Sequence, residues 1–204
     1  MWRNLGILIL AFSITLVISI AIRVYSEMPP EPLSVNPKAG HTKASPASGP
    51  EPSGKKAPDF VFRDINEGQF TLHDFKDRII LLNFWASWCL PCVKEFPILA
   101  EITSAFPEKL VLIAVSSDQT EEDIRRFKQS LKQKTGANLD QPNIHLVHDP
   151  QKKITLGVFN TLRLPETIII NKDLKMVHKL IGADWNKNDL ENRIKKLIIN
   201  SDRI

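Results

Sequence analysis

Cysteine is nearly absent from this chain: two in 204 residues, three apart, as Cys89-Leu90-Pro91-Cys92. A secreted scaffold stapled by disulfides needs more, so a hydrophobic core must hold the domain together. The pair is then free to cycle between oxidised and reduced states. Tracts of one charge are missing too. The 27 basic residues are interleaved with 23 acidic ones, notably along 121–134 and 186–203, and the net charge of +4 is mild. Solvated faces account for such a pattern, and nucleic acid is set aside as a partner. No internal repeat is visible. No cysteine follows the one long apolar run, which excludes a lipid-modified cysteine at that point.

What is present suffices for one ordinary domain with accessories: 43% of the residues are hydrophobic and 25% charged. Residues 1–25 read as a transmembrane anchor. The run Leu5 to Ile22 is eighteen residues without a charge, bounded by Arg3 and Arg23, and a bilayer span needs about 17–25. A cleaved signal sequence is the rival reading, with Ser19 and Ala21 as its small residues; signal-peptide apolar regions run to only about 7–15. Either reading exports the remainder. Residues 26–56 read as a linker. With Pro58 just beyond, the stretch carries eight prolines among Ser, Gly, Ala and Lys, and buries too little to offset chain entropy.

Residues 57–204 form the domain. Phe60-Val61-Phe62 and Gln69 to Leu72 predict a small hairpin around Asn66-Glu67-Gly68. Ile79 to Trp85, apolar except for Asn83, predicts a strand buried on both faces. A helix from Cys89 or Pro91 to Ala105, kinked at Pro97, follows. Next come a buried strand at 110–115, a helix from Thr120 to Lys134 opened by a Thr120/Asp123 capping box, and a loop to Asn143. A short strand at 144–147, a short helix at 150–157, and a hairpin of 167–170 with 176–181 lead to a closing amphipathic helix from about 187 to 199. Its Leu190, Ile194, Leu197 and Ile198 share one face. The order predicts an α/β fold: a mixed central sheet with helices on both faces and an N-terminal β-hairpin extension.

A strand running straight into Cys-x-x-Cys at a helix start suits thiol chemistry. The thiolate is the attacking species, and the helix N-terminus offers unpaired amides and partial positive charge. Cys89, at the edge, is the candidate nucleophile. Cys92, one turn in, is the candidate resolver of the mixed disulfide. Pro91 fits the first turn because its missing N–H has no partner there. A zinc site with His145 and His148 is the competing reading. These lie about fifty residues away, where a zinc knuckle spaces its pairs by about a dozen, and on one strand they point to opposite faces.

The block Leu81 to Pro97, with its WCxPCxxE core, resembles the active site of membrane-anchored thioredoxin-like disulfide reductases of the TlpA/ResA group and the related cytochrome c maturation reductase CcmG/DsbE. The resemblance covers roughly 57–200 and implies a thioredoxin-like fold. Leu164-Pro165-Glu166-Thr167 resembles the family's cis-proline loop. The resemblance implies a cis Leu164–Pro165 bond, and Leu164 and Pro165 facing the cysteines as a wall that pairs with a substrate peptide and keeps metal off the dithiol. It also implies a membrane electron donor of the DsbD/CcdA type. No cofactor beyond the Cys89–Cys92 disulfide and no metal are expected.

Two departures from soluble thioredoxins shape the expected mechanism. Asn83 stands where thioredoxin has a buried aspartate, and cannot titrate. Glu95, three residues after Cys92, resembles the active-site glutamate of the TlpA/ResA group and is expected to have a raised pKa and to help deprotonate Cys92; a surface glutamate is the alternative. Leu90-Pro91 brings no charge or histidine between the cysteines, which favours a reducing role. Trp88 is expected to pack beside and shield the cysteines, Trp85 to be core, and Trp185 carries no signal. A peroxiredoxin is disfavoured because Ala86 and Leu82 occupy the places of its Thr/Ser and Pro. The expected function is disulfide reduction of exported proteins, apocytochrome c among them, by a single-pass protein whose domain lies outside the inner (cytoplasmic) membrane. A redox-inert, tethered peptide-binding module is the alternative.

Overall fold

The computed structural model describes residues 54–66 and 68–201; the expected anchor and nearly all of the expected linker lie outside them. Continuous aliphatic runs set the centre of the domain. Strands β3 (Ile79–Trp85) and β4 (Leu110–Ser116) are buried along their whole length, and pair in parallel from Ile79 with Leu110 to Trp85 with Ser116. Strand β5 (Ile144–His148) adds in parallel outside β4. On the other side, β6 (Glu166–Ile170) runs antiparallel to β3, and β7 (Met176–Ile181) antiparallel to β6. The sheet order is β5-β4-β3-β6-β7. A separate hairpin, β1 (Phe62–Arg63) with β2 (Gln69–Phe70), is shorter than its sequence pattern predicts. Leu72–Phe75 leaves the ladder as a 3-10 turn because Thr71 and Asp74 cap it reciprocally.

Alternation along the strands divides the core in two. Ile79, Leu81 and Trp85 face α1 (Leu90–Ala105), α2 (Glu121–Thr135) and α3 (Lys187–Ser201), where Phe96, Leu99, Ile124, Leu131, Leu190 and Ile194 are buried with them. Ile80, Leu82 and Phe84 face the hairpin and the segment after β5, with Phe62, Phe70, Leu72, Ile154 and Phe159. Helical segments therefore cover both faces, but unequally: three α-helices on one, the 3-10 turn and a π-helical turn at Lys153–Val158 on the other. The topology explains the asymmetry. The steps from β3 to β4 and from β4 to β5 move in the same direction across the sheet, so right-handed crossovers put α1 and α2 on one side.

The ends of α2 follow the expected chemistry. Thr120 Oγ1 accepts from the Asp123 amide at 3.2 Å, and Gly136, at φ +74°, closes the helix with its N–H on the Lys132 carbonyl. The expected helix at 150–157 is a correction. It forms only from Lys153, because Asp149 accepts from the Ile154 and Thr155 amides and Lys152 takes a left-handed turn at φ +54°.

Candidate active site

Strand β3 ends at Trp85, and the chain turns through Ala86-Ser87-Trp88 into α1. Asp118 holds this turn: its carboxylate accepts from the Ser87 amide at 3.0 Å, from Ser87 Oγ at 2.8 Å and from Ser116 Oγ at 2.7 Å. Cys89 is the N-cap of α1, and the Cys92 amide donates to its Sγ at 3.3 Å. That places an otherwise unpaired helix amide on the sulfur. Pro91, the second helical residue, needs no amide partner.

The two cysteines are joined in a disulfide but are not equivalent. Cys89 is 7% exposed and lines a cleft of about 360 Å³; Cys92 is 0% exposed and packs in the core beside Phe96 and Trp85. The cleft is shared by Trp88, Pro91, Ser117, Lys152, Thr155 and the loop Thr161 to Leu164. The Leu164–Pro165 bond is cis. Leu164, expected in the wall, lines the cleft. Pro165 does not: it is buried behind, and its carbonyl accepts from the Gly182 amide at 2.8 Å. Trp88 is a second correction. At 63% exposure it stands on the rim of the cleft that Cys89 lines rather than packed down onto the sulfurs.

Glu95 lies away from this cleft, one turn beyond Cys92. It is 2% exposed, and it lines a second recess of about 280 Å³ with Pro91, Lys94, Ile98, Ala183, Asp184 and Trp185. Asn83 Nδ2 donates to its Oε1 at 2.8 Å, and Trp185 Nε1 to its Oε2 at 3.1 Å. Asn83 Nδ2 also reaches Thr167 Oγ1 at 3.0 Å, on the strand that follows the cis-proline. Burial pushes the Glu95 carboxyl up to about 7, while the hydrogen bonds from Asn83 and Trp185 hold it lower than burial alone would. The surface-glutamate alternative is thus overturned. Asn83, which cannot titrate, orients the group that can.

His145 and His148 are committed elsewhere: His145 Nδ1 lies 3.2 Å from Asp64 Oδ2, and His148 Nε2 lies 3.0 Å from the Asp118 carbonyl. Sequence reasoning missed Trp185 and Asp118. Trp185 acts across 90 positions and Asp118 across 31. The only signal for the first was the need for some group to replace the missing aspartate.

Residues 53–179 match the AhpC/TSA family. The thiol-disulfide oxidoreductase ResA of Bacillus cereus (strain ZK / E33L) is 34% identical over 145 residues, which span 71% of this chain and 78% of that one. The chain belongs to the thioredoxin-like AhpC/TSA family. Its solved neighbours agree with the ResA likeness. A Chlorobium tepidum protein described as a thiol:disulfide interchange protein DsbE superposes with a TM-score of 0.59 at 26% identity, covering 76% of this chain and 99% of that one. The exposed lipoprotein thioredoxin of Streptococcus pneumoniae strain TIGR4 gives 0.56 at 26% identity, covering 69% and 100%. This AhpC/TSA member is a thiol-disulfide oxidoreductase, with the Cys89–Cys92 pair at the mouth of α1.

Proposed function

We propose that this oxidoreductase reduces disulfides in exported proteins, apocytochrome c before haem attachment being the first substrate to examine. One observation carries the reading: of the two sulfurs, Cys89 alone opens on a cleft, with a helix amide donating to it, while Cys92 is fully covered. In the reduced enzyme the Cys89 thiolate attacks a substrate disulfide, and one substrate sulfur leaves and takes up a proton. Cys92 then attacks Cys89 Sγ, the second substrate thiol departs, and two electrons have passed to the substrate.

Glu95 is the proton acceptor that makes Cys92 nucleophilic in that second step. A carboxyl near 7 is matched to the task at neutral pH. Leu164 and its neighbours supply a peptide edge for the substrate, by strand addition. Electrons return to the disulfide from a membrane donor of the DsbD/CcdA type. The apolar run before Arg23 and the proline-rich stretch after it support an anchored domain on the outer side of the cytoplasmic membrane.

The test is capture. Cys92→Ser stops the cycle at the mixed disulfide, so expressed in the native host it is expected to retain exported proteins on Cys89, cytochrome c precursors among them. If nothing is captured through Cys89, the reductase reading fails and a redox-inert binding module takes its place. The direction of electron flow has its own measurement. With Leu90-Pro91 between the cysteines, equilibration with a glutathione buffer is expected to give a potential near thioredoxin's, about −270 mV; a value near about −120 mV, that of a strong oxidant, would reverse the assignment.

A further inference from the structure

The cleft in front of Cys89 carries two cations that no group among the described residues neutralises. Lys152 and Arg163 both line it and are both exposed. Among the described residues neither forms an ion pair or a side-chain hydrogen bond. Their placement is fixed from the backbone. Lys152 is held in its left-handed turn by its amide on the Asp149 carbonyl at 2.9 Å, while its own carbonyl accepts from the Leu156 and Gly157 amides. Arg163 sits beside Leu164 in a loop anchored at Thr161, whose amide donates to the Thr155 carbonyl at 2.8 Å and whose hydroxyl donates to Glu166 Oε1 at 2.7 Å.

Among the described residues no carboxylate lines this cleft. The acids on the surrounding elements are buried and already satisfied. Asp118 accepts from Ser87 and Ser116. Asp149 accepts from the Ile154 and Thr155 amides and from Thr155 Oγ1. Glu166 pairs with Lys179 at 2.9 Å. What the cleft presents outward is positive charge between two apolar rims, Trp88 and the 77%-exposed Leu162.

Building on the reading of Cys89 as the attacking sulfur, we propose that the cleft selects extended protein segments whose target cysteine has an acidic residue within one or two positions and an apolar residue beside it. An extended segment advances about 3.3 Å per residue. Lys152 and Arg163 line the same cleft as Cys89 and Leu164, so a strand laid along Leu164 with its cysteine at Cys89 carries its neighbouring side chains into the reach of these cations. The carboxylate meets cations with no competing internal partner, and the apolar residue covers Trp88 or Leu162. The charge pairing raises the encounter rate and orders the segment before sulfur exchange begins. The exchange itself is unchanged: the Cys89–substrate bond forms as the substrate disulfide breaks, and the leaving sulfur is protonated from solvent.

The test uses the full chain in detergent, reduced and then mixed in stopped flow with disulfide-bearing peptides of equal length. Their cysteine is flanked by Asp/Glu, by Asn/Gln or by Lys/Arg. Acidic peptides are expected to react about tenfold or more faster than basic ones at low salt, and the ratio to shrink towards one at high salt. In the double variant Lys152→Glu with Arg163→Glu the order inverts. The ratio is the readout, so any change in Cys89 reactivity common to all peptides cancels. Equal rates for the three peptides overturn the proposal, as does an order that survives charge reversal. Glutathione disulfide outrunning the acidic peptide overturns it in favour of a small-molecule disulfide. If the enzyme exchanges with none of these, including the neutral peptide, it is the reading of Cys89 that has failed.

Discussion

Cys89→Ser is expected to reduce disulfide exchange to background, a loss of about a thousandfold or more, although a cysteine remains three residues away. The reason is the asymmetry of the pair. Cys92 is 0% exposed and lies within the cluster of Phe96, Leu99 and Trp85. A disulfide cannot reach it without opening α1, and apolar surroundings disfavour its thiolate. Cys92→Ser should behave in the opposite way. It leaves the backbone N–H at position 92 in place to donate to Cys89 Sγ, so the first attack survives and the reaction halts at the mixed disulfide. Alkylation of the two single variants by iodoacetamide separates them: rapid for Cys92→Ser at a pH below that needed by free cysteine, slow for Cys89→Ser unless denaturant is present. Equal alkylation rates would mean that the burial of Cys92 does not persist once the disulfide is open, and the division into attacker and resolver would fall with it.

The parts of this site that were legible beforehand are those whose determinants are local. A run that follows Arg78 and is apolar except for Asn83 fixes β3 from Ile79 to Trp85. A Thr and an Asp three apart fix the start of α2. A cysteine before Leu-Pro fixes the N-cap of α1. What could not be read depends on contacts between distant segments. Pro150 suggests a helix start, yet Asp149 turns its side chain onto the amides of Ile154 and Thr155 and defers the helix to Lys153. Phe60 and Val61 carry a strand pattern, but the ladder with β2 begins only at Phe62. Trp185 has nothing in its own neighbourhood to mark it. Its role exists only because β7 and the turn after it return to α1, bringing its indole N–H to Glu95 Oε2. The missing aspartate at Asn83 called for another acid, and the resemblance already pointed to Glu95; what the fold adds is that Glu95 is buried and that Asn83 and Trp185 hold it.

Glu95→Gln is expected to change both the pH dependence of stability and that of turnover. Burial raises the Glu95 carboxyl from an ordinary 4.5 to about 7. Between those values the folded state binds more protons than the unfolded chain, so stability is greatest at the acid end and falls as pH rises through that window. The loss amounts to about 3 kcal/mol once the group is fully ionised. Glutamine cannot titrate, so the difference between wild type and variant in urea unfolding should grow in the variant's favour from pH 5 to 8. Its absolute level is offset by about 1–3 kcal/mol, because the new amide group faces a donor from Asn83 or Trp185. The slope is therefore the readout, and a difference independent of pH would remove Glu95 from the titration. Turnover follows the same group. Without a carboxylate to take the Cys92 proton, resolution of the mixed disulfide near pH 7 should slow by about a hundredfold and recover as rising pH ionises the thiol directly. Trp185→Phe gives the complementary shift: removing a donor from Oε2 disfavours the ionised form, so the acidic limb of the profile moves to higher pH. A Glu95→Gln profile that overlays the wild type would leave the carboxyl as a buried structural group and require Cys92 to lose its proton to solvent.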